Sequence, residues 1–460
     1  MTPVGEGQRD VRHGCSRSAA WWRAGVAMLA VASLVACGHT ARPLSESTGP
    51  DPTLPPPFRS LIPVIDIAPA TGWGPDQTPV ATDGLRVRAF ARGLDHPRWL
   101  LVLPNGDVLV AQSDAPPDSR ATKGIKGAVM KAVMKRAGAG LPSPNRLTLL
   151  RDADGDGVAE TRHVFAEGLF SPFGMALVGD TLYIANANAL VRVPYHDGDL
   201  TAASAPQLVV PLPHGPGPLN HHWTKSLLAS ADGSRLYVGV GSNSNVAEGG
   251  MDKEINRAAV LEIDPHQRTS RVFASGLRNP VGLDWEPATG ALWVVVNERD
   301  ERGNDLVPDY LTQVVEHAFY GWPYRYFGDH VDDRVPAPAA GEVVTARVPD
   351  YALGAHTASL GLAFSTPGAL AGRYGAGAFI GQHGSWNRKP PVGYQVIFVP
   401  FTQGRPSGAP PQVVLDGFVD AHGNARGRPV GVELTHDGAL LVADDVGDAI
   451  WRVDADPASR

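Results

Sequence analysis

Residues 275–323 read SGLRNPVGLDWEPATGALWVVVNERDERGNDLVPDYLTQVVEHAFYGWP, and two apolar runs within them decide the fold. The first run begins at Pro280, directly after Arg278-Asn279, and the second, Leu292 to Val296, leads into Asn297-Glu298-Arg299-Asp300. Gly290 lies in the turn between them, so the spacing predicts an antiparallel hairpin. The strand ends opposite a hairpin turn share one edge of a sheet, which places both polar clusters at the same edge. A site built from loops on a rigid scaffold arises in this way.

The same unit can be followed six times along the chain: a loop often closing on Pro, an apolar strand, a Gly or Asp turn, and a second apolar strand ending in polar residues. The loops are Gly93 to Pro97, Gly168 to Pro172, Asn220-His221-His222, Gly276 to Pro280, His356-Thr357 and Arg426-Gly427-Arg428-Pro429. Outer strands such as Ala259 to Ile263 and Ile450 to Val453 follow in most units. Four strands per unit, repeated at an irregular spacing of roughly 50 to 80 residues, predict an all-β fold, a six-bladed β-propeller with four-stranded antiparallel blades. Longer inserts fall in the first, fourth and fifth units. A β-sandwich or two unrelated β domains is the alternative.

A propeller gathers its incoming and outgoing loops on one face around the central channel. The incoming loops bring His96, Ser171, His222, Arg278, Asn279, Arg426 and Arg428 to that rim. The outgoing loops bring Ser242, Asn297, Glu298, His383, Arg388, Asp444 and Asp445, among others. The chain as a whole carries a formal net charge of −7, which argues against general nucleic-acid binding and makes a convergence of arginines a local feature. Guanidinium forks match carboxylate and phosphate oxygens, so Arg278, Arg388, Arg426 and Arg428 point to a compact polyanionic ligand. Strand capping, or pairing with Asp444 and Asp445, would equally explain any single one of them.

His222 stands nearer its strand than His221 and is placed to act as a general base near neutral pH. The outgoing Asn297 to Asp300 turn is rich in oxygen and suits a hard cation such as calcium. Asp152-Ala153-Asp154-Gly155-Asp156-Gly157 has the opening of a calcium loop, but His163 stands at the twelfth position, and a tight turn explains it equally.

The globular region begins after a different kind of sequence. Residues 1–37 read as a lipoprotein-type signal peptide: a basic start to Arg23, an apolar run from Ala24 to Ala36, and Leu34-Val35-Ala36-Cys37, which resembles a lipobox. Export and a lipid anchor at Cys37 follow, against an ordinary cleaved signal. Residues 38–80 read as a Pro-rich tether, and 81–460 as the propeller, with an amphipathic helix inserted near 121–140. Cys15 and Cys37 are the only cysteines, so the propeller has neither a disulfide nor a thiolate metal site.

The segments GLRNPVGL, VNERD, YGWPY and RGRPV, with the His222 loop and SWNR at 385–388, resemble the bacterial sorbosone and aldose dehydrogenases. These belong to the superfamily of soluble glucose dehydrogenases that use pyrroloquinoline quinone (PQQ). The resemblance implies a periplasmic oxidoreductase with PQQ over the channel mouth and a calcium ion on the quinone. It implies His222 as the base and Arg278 and Asn279 on the quinone side. Asn297 falls near the cofactor, the carbonyls of Glu298 and Arg299 on calcium, and Arg426 and Arg428 on the cofactor carboxylates. Arg388 stands where the glucose enzymes have Lys, Thr357 near a cofactor-contacting Thr, and Ser242 where an Asp supports the catalytic His.

The expected reaction is oxidation of an aldose or sugar aldehyde to a lactone or acid, with electrons passing to a periplasmic or membrane acceptor. A calcium-dependent hydrolase of the lactonase type and a non-catalytic binding propeller are the alternatives.

Overall fold

Period-two alternation in short apolar runs produces strands that bury both faces between neighbouring blades, and the chain forms six such sheets. The computed structural model describes residues 41–58, 65–116, 132, 134–214, 222–338, 345–368 and 370–456. Blade 1 consists of Pro97–Val102, Val108–Gln112, Arg146–Arg151 and Thr161–Ala166. Blade 2 consists of Met175–Val178, Thr181–Ala185, Ala189–Pro194 and Gln207–Pro211. Lys225–Ala229, Leu236–Val240, Ala259–Asp264 and Thr269–Ser275 form blade 3. Pro280–Trp285, Leu292–Val296, Pro308–Gln313 and Tyr351–Ala355 form blade 4. Blade 5 is Ser359–Phe364, Gly377–Gln382, Gln395–Thr402 and Gln412–Asp416. The expected six-bladed propeller is the fold observed.

The opening hairpin is the inner half of blade 4, with Trp285 opposite Leu292 and Pro280 opposite Val296. Blade 6 closes the ring in a way the hairpin repeat does not announce. Its inner three strands, Pro429–Leu434, Leu440–Asp444 and Ala449–Ala455, come from the end of the chain, and its outermost, Leu85–Arg92, comes from before blade 1. Joining the two ends of the chain in one sheet ties the ring shut.

Inner strands of adjacent blades meet closely at the channel. A Cβ at Gly174 of the blade 2 loop would stand 2.3 Å from the Leu227 amide nitrogen, and one at Gly361 would stand 2.3 Å from the Val430 carbonyl. Only glycine admits that approach. Trp99, Phe173, Trp223, Val281 and Val430, from five blades, share one buried apolar cluster. Leu360 of blade 5 packs against it.

The stretch read as a tether does not run free where it is described. Thr48–Gly49 adds a fifth strand to blade 4, and Val80–Ala81 adds an edge strand to blade 5. Between them Phe58 donates its amide to Arg302, Asp66 to Trp386 and Thr71 to Ala425. Prolines keep such a chain extended, and an extended chain can lie along loops that offer carbonyls and amides. Residues 1–37, with Cys37, and most of the expected helix at 121–140 lie outside the described residues; Met134 to Arg136 are helical.

Candidate active site at the channel mouth

His222 precedes the inner strand of blade 3. Its Nδ1 lies 2.8 Å from the Ser242 carbonyl oxygen and 3.1 Å from Ser242 Oγ, whose hydroxyl in turn donates to the Ser244 carbonyl. A carbonyl can only accept, so Nδ1 carries the proton and Nε2 presents its lone pair. The main chain of this loop is pinned from beneath. Lys225 Nζ donates to the Trp223 carbonyl at 3.1 Å, and Arg257 reaches the Ser242 carbonyl at 3.3 Å. Burial, with Arg257 alongside, drives the Lys225 ammonium well below its ordinary range, and burial lowers Arg257 to about 10.

Blades 3, 4 and 5 meet at the last carboxylate of the Asn297 to Asp300 turn. Asp300 accepts from Asn387 Nδ2 at 2.9 Å, and lies 3.4 Å from His356 Nδ1 and 3.5 Å from Arg278 Nη2. Burial would raise its carboxyl, but the His356 ring, Arg278 and Asn387 outweigh that and hold it below the usual range. Arg278 reaches across the same seam: Nη1 donates to the Glu298 carbonyl at 2.6 Å and Nη2 to Asn245 Oδ1 at 2.8 Å. It is a brace between blades 3 and 4. The adjacent Asn279 is buried, with an Oδ1 that has no hydrogen-bond partner, and a Cβ on Gly241 would meet both that oxygen and the His222 Cβ. Asn279 and His222 therefore stand side by side.

Asp309, on the third strand of blade 4, organises two predicted site loops at once. Its Oδ1 accepts from the Glu298 amide at 2.8 Å and Asn297 Nδ2 at 3.2 Å. Oδ2 accepts from the Ser359 amide at 2.8 Å and Thr357 Oγ1 at 3.0 Å. Burial pushes this carboxyl up to about 6 against those donors.

Two expectations change at this point, those for Thr357 and Arg388. Thr357 is fully buried and committed to Asp309 and Ser359, so it supports the turn and does not face a ligand. Arg299, whose carbonyl rather than its side chain is expected on calcium, is fully buried, with its guanidinium bonded to Glu298 Oε2 and to the carbonyls of Pro323 and Arg325 and ion-paired with Asp332 in the blade 4 insert. Arg388 donates to the carbonyls of Asn304, Pro390 and Arg42 and lies 3.6 Å from Asp305, which makes it a clamp between loops. The Glu298 carbonyl expected on calcium accepts from Arg278 Nη1 at 2.6 Å, which takes one of its two lone pairs. Asn297 is held between Asp309 and Arg278.

Of the four arginines expected at the mouth, Arg278 pairs with Asp300 and Arg388 with Asp305, and Arg426 and Arg428 are the two with no carboxylate among the described residues. Arg428 is 3% exposed, stacks over the Tyr394 ring at 4.7 Å, and donates only to the main-chain carbonyls of His383 and Ala68, at 3.4 and 3.3 Å. Its Nε has no partner, and among the described residues no acid pairs with its guanidinium. The half-buried Arg426 side chain likewise has no ion-pair partner among the described residues. Beside them Asp445 binds Arg98 Nη1 at 2.6 Å and His383 Nε2 at 2.9 Å. Burial raises this carboxyl, but His383, Arg98 and His96 hold it well below the usual range.

Polar atoms that are buried without partners gather here as well: Ser113 Oγ, Ser171 Oγ, Asn243 Oδ1, Asn279 Oδ1, Asn387 Oδ1 and Arg428 Nε, all on rim loops and together from all six blades. Unpaired buried polar atoms are costly and rare. Their concentration, with uncompensated guanidinium charge, fits an anionic ligand rich in oxygen and nitrogen.

A family model described as TrAA12-like matches residues 147–308 and 342–456, well over half of the chain. The chain belongs to the TrAA12-like family. Among solved structures, this TrAA12-like chain superposes on the holo form of the pyranose dehydrogenase PQQ domain from Coprinopsis cinerea with a TM-score of 0.64 at 20% identity, covering 84% of this chain and 100% of that one. A calcium structure of the Trichoderma reesei Carbohydrate-Active Enzymes Family AA12 protein gives 0.64 at 20% identity, over 86% and 100%. The PQQ-bound aldose sugar dehydrogenase from Streptomyces coelicolor gives 0.52 at 17%, over 82% and 99%. At these identities the likeness establishes the fold. A curated uncharacterized protein of Borreliella burgdorferi is 29% identical over 234 residues, which is 50% of this chain and 60% of that protein. The match thus spans about 60% of that relative's length.

The loop Asp152 to Glu160 joins the third and fourth strands of blade 1, away from the mouth. The carboxylates of Asp152, Asp154, Asp156 and Glu160 converge within 4.8 Å of one another, so Glu160 joins the three acids expected from the sequence.

Proposed function

We propose that this TrAA12-like protein is a PQQ-dependent oxidoreductase that oxidises an aldose or sugar aldehyde to a lactone or acid. The observation that carries the reading is Arg428, a nearly fully buried guanidinium with no carboxylate partner among the described residues. A buried charge of that kind is stable only when an anion answers it. PQQ carries three carboxylates, and when bound it supplies a two-electron acceptor for hydride leaving the substrate carbon.

The chain's own residues do the rest. Arg426 and Arg428 hold the cofactor acids. Asn279 and Asn387 offer unengaged amide oxygens at the mouth. His222, fixed by Ser242 in the tautomer with an accepting Nε2, takes the hydroxyl proton of a cyclic sugar or aldehyde hydrate at that atom. Arg278 contributes a fixed positive charge between blades 3 and 4.

Calcium enters this reading through the sequence resemblance and the calcium structure of the Trichoderma reesei protein. No step is assigned to it. Export, a lipid anchor at Cys37 and a periplasmic or membrane electron acceptor belong to the same proposal. A Cys37→Ser variant should leave the membrane fraction.

The test is sugar-dependent reduction of an artificial dye by purified protein given PQQ, with calcium and with a chelator. Aldose-dependent reduction supports the reading. Lactone hydrolysis with calcium alone, and no dye reduction with PQQ, would replace it with the hydrolase.

A further inference from the structure

Trp73 belongs to the stretch that a sequence reading assigns to a tether, yet it is built into blade 6. Its ring meets Phe418 at 5.6 Å and Trp451 at 5.3 Å, both edge to face, and its Nε1 donates to Asp444 Oδ2 at 2.7 Å. Asp444 is fully buried, and its other oxygen accepts from the Arg428 amide at 2.7 Å. Trp73 and Arg428 therefore hold the same carboxylate by opposite oxygens, each shared with a second donor, Trp451 Nε1 at 3.0 Å on Oδ2 and the Gly447 amide at 2.8 Å on Oδ1. That carboxylate has no room to swing: a Cβ at Gly427 or Gly447 would stand 2.1 or 2.2 Å from Oδ2.

A second link runs through the main chain. Ala425 donates its amide to Pro69 at 2.8 Å and accepts from the Thr71 amide at 2.8 Å, so the segment before Trp73 is paired with the loop that carries Arg426 and Arg428. One residue before Pro69, the Ala68 carbonyl accepts from Arg428 Nη2 at 3.3 Å. The guanidinium lies between that carbonyl, the His383 carbonyl and the face of Tyr394.

We propose that Trp73 is a positioning residue for Arg428: by docking residues 65–73 against blade 6 it fixes both the main chain and the guanidinium of the cofactor anchor. The proposal rests on the cofactor reading given above. A merely structural Trp73 would stabilise blade 6 and leave ligand binding alone. A positioning Trp73 acts through Arg428, and its effect disappears when Arg428 is already gone.

A double-mutant cycle on the full chain separates these, with PQQ binding measured by isothermal titration and unfolding by calorimetry. Trp73→Ala should weaken PQQ binding by about tenfold, and Trp73→Phe, which keeps the ring but lacks the N–H, by about threefold. In an Arg428→Gln background the further change on adding Trp73→Ala should be less than about twofold. Wild-type affinity in Trp73→Ala, or effects that simply multiply in the double variant, would overturn the proposal. If Trp73→Ala does not fold, Trp73→Phe with Arg428→Gln completes the same cycle.

Hydrogen exchange without any ligand gives an independent reading. Faster exchange at the Arg428 amide in Trp73→Phe supports the link, and unchanged exchange overturns it. Failure of the wild-type protein to bind PQQ would remove the cofactor reading, and the exchange result would then decide the coupling of Trp73 to Arg428 by itself.

Discussion

The Nδ1 of His222 lies 2.8 Å from the main-chain carbonyl of Ser242, and that contact fixes which nitrogen of the ring accepts a proton. A base aimed by a carbonyl needs no carboxylate beside it, which accounts for a Ser where the resembled glucose enzymes have an Asp. His222→Ala should lower turnover by about 100-fold or more, the usual scale for losing a general base. PQQ affinity should stay within about twofold, because the arginine anchors, Arg426 and Arg428, are on blade 6. Steady-state dye reduction and a binding titration measured together check both parts.

Ser242→Ala should be mild. The carbonyl that orients His222 remains, and the 3.1 Å contact to Oγ is lost together with the hydroxyl's bond to the Ser244 carbonyl. A single neutral hydrogen bond corresponds to a loss in turnover of no more than about tenfold. A loss as deep as that of His222→Ala would show that the hydroxyl, not the carbonyl, aims the ring.

Asp309→Ala removes the acceptor shared by the Glu298 and Ser359 amides, Thr357 and Asn297. Leaving those donors buried and unpaired should cost about 3 kcal/mol in denaturant unfolding. Activity should fall further than the loss of folded protein explains, since the turns of blades 4 and 5 both face the mouth.

Stability should fall as pH rises from 5 to 8.5, through a carboxyl on the inner strand of blade 6. Burial, with the Asp284 charge adding to it, raises Glu433 to about 8 from an ordinary 4.5. The folded state binds this proton more tightly than the unfolded state. Its contribution is complete below the ordinary value and is lost as pH passes about 8. Asp284, raised to about 6 by burial, acts in the same direction. Melting curves of Glu433→Gln should be flatter across that range and cross above the wild type at the alkaline end.

The hairpins and the rim were legible because a strand's side chains alternate with a period of two, and a polar residue at the end of an apolar run has to leave the core. The sequence therefore locates His222, Arg278, Asn279, Asn297, Arg426 and Arg428 at one mouth. It does not tell where a side chain turns once it arrives. Arg388 left for neighbouring carbonyls and Asp305, and Thr357 turned inward to Asp309, because each found closer partners than the mouth offers.

Asp309 carried a signal that could have been used. It lies beside Tyr310 and Leu311 in the strand Pro308–Gln313, where a buried acid needs donors from somewhere. Asp300 had only its place beside Arg299, and its partners Asn245, His356 and Asn387 come from blades 3 and 5. Leu85–Arg92 and the stretch ending at Trp73 were hidden for a related reason: both are completed by residues more than three hundred positions away.

The most direct test of the account is titration of PQQ into the purified protein. Binding of one PQQ per chain, weakened at least tenfold when Arg428 is changed to Gln, is the result expected of a mouth whose buried guanidinium awaits a carboxylate. No binding by the wild-type protein, or equal binding by the Arg428→Gln variant, would contradict it.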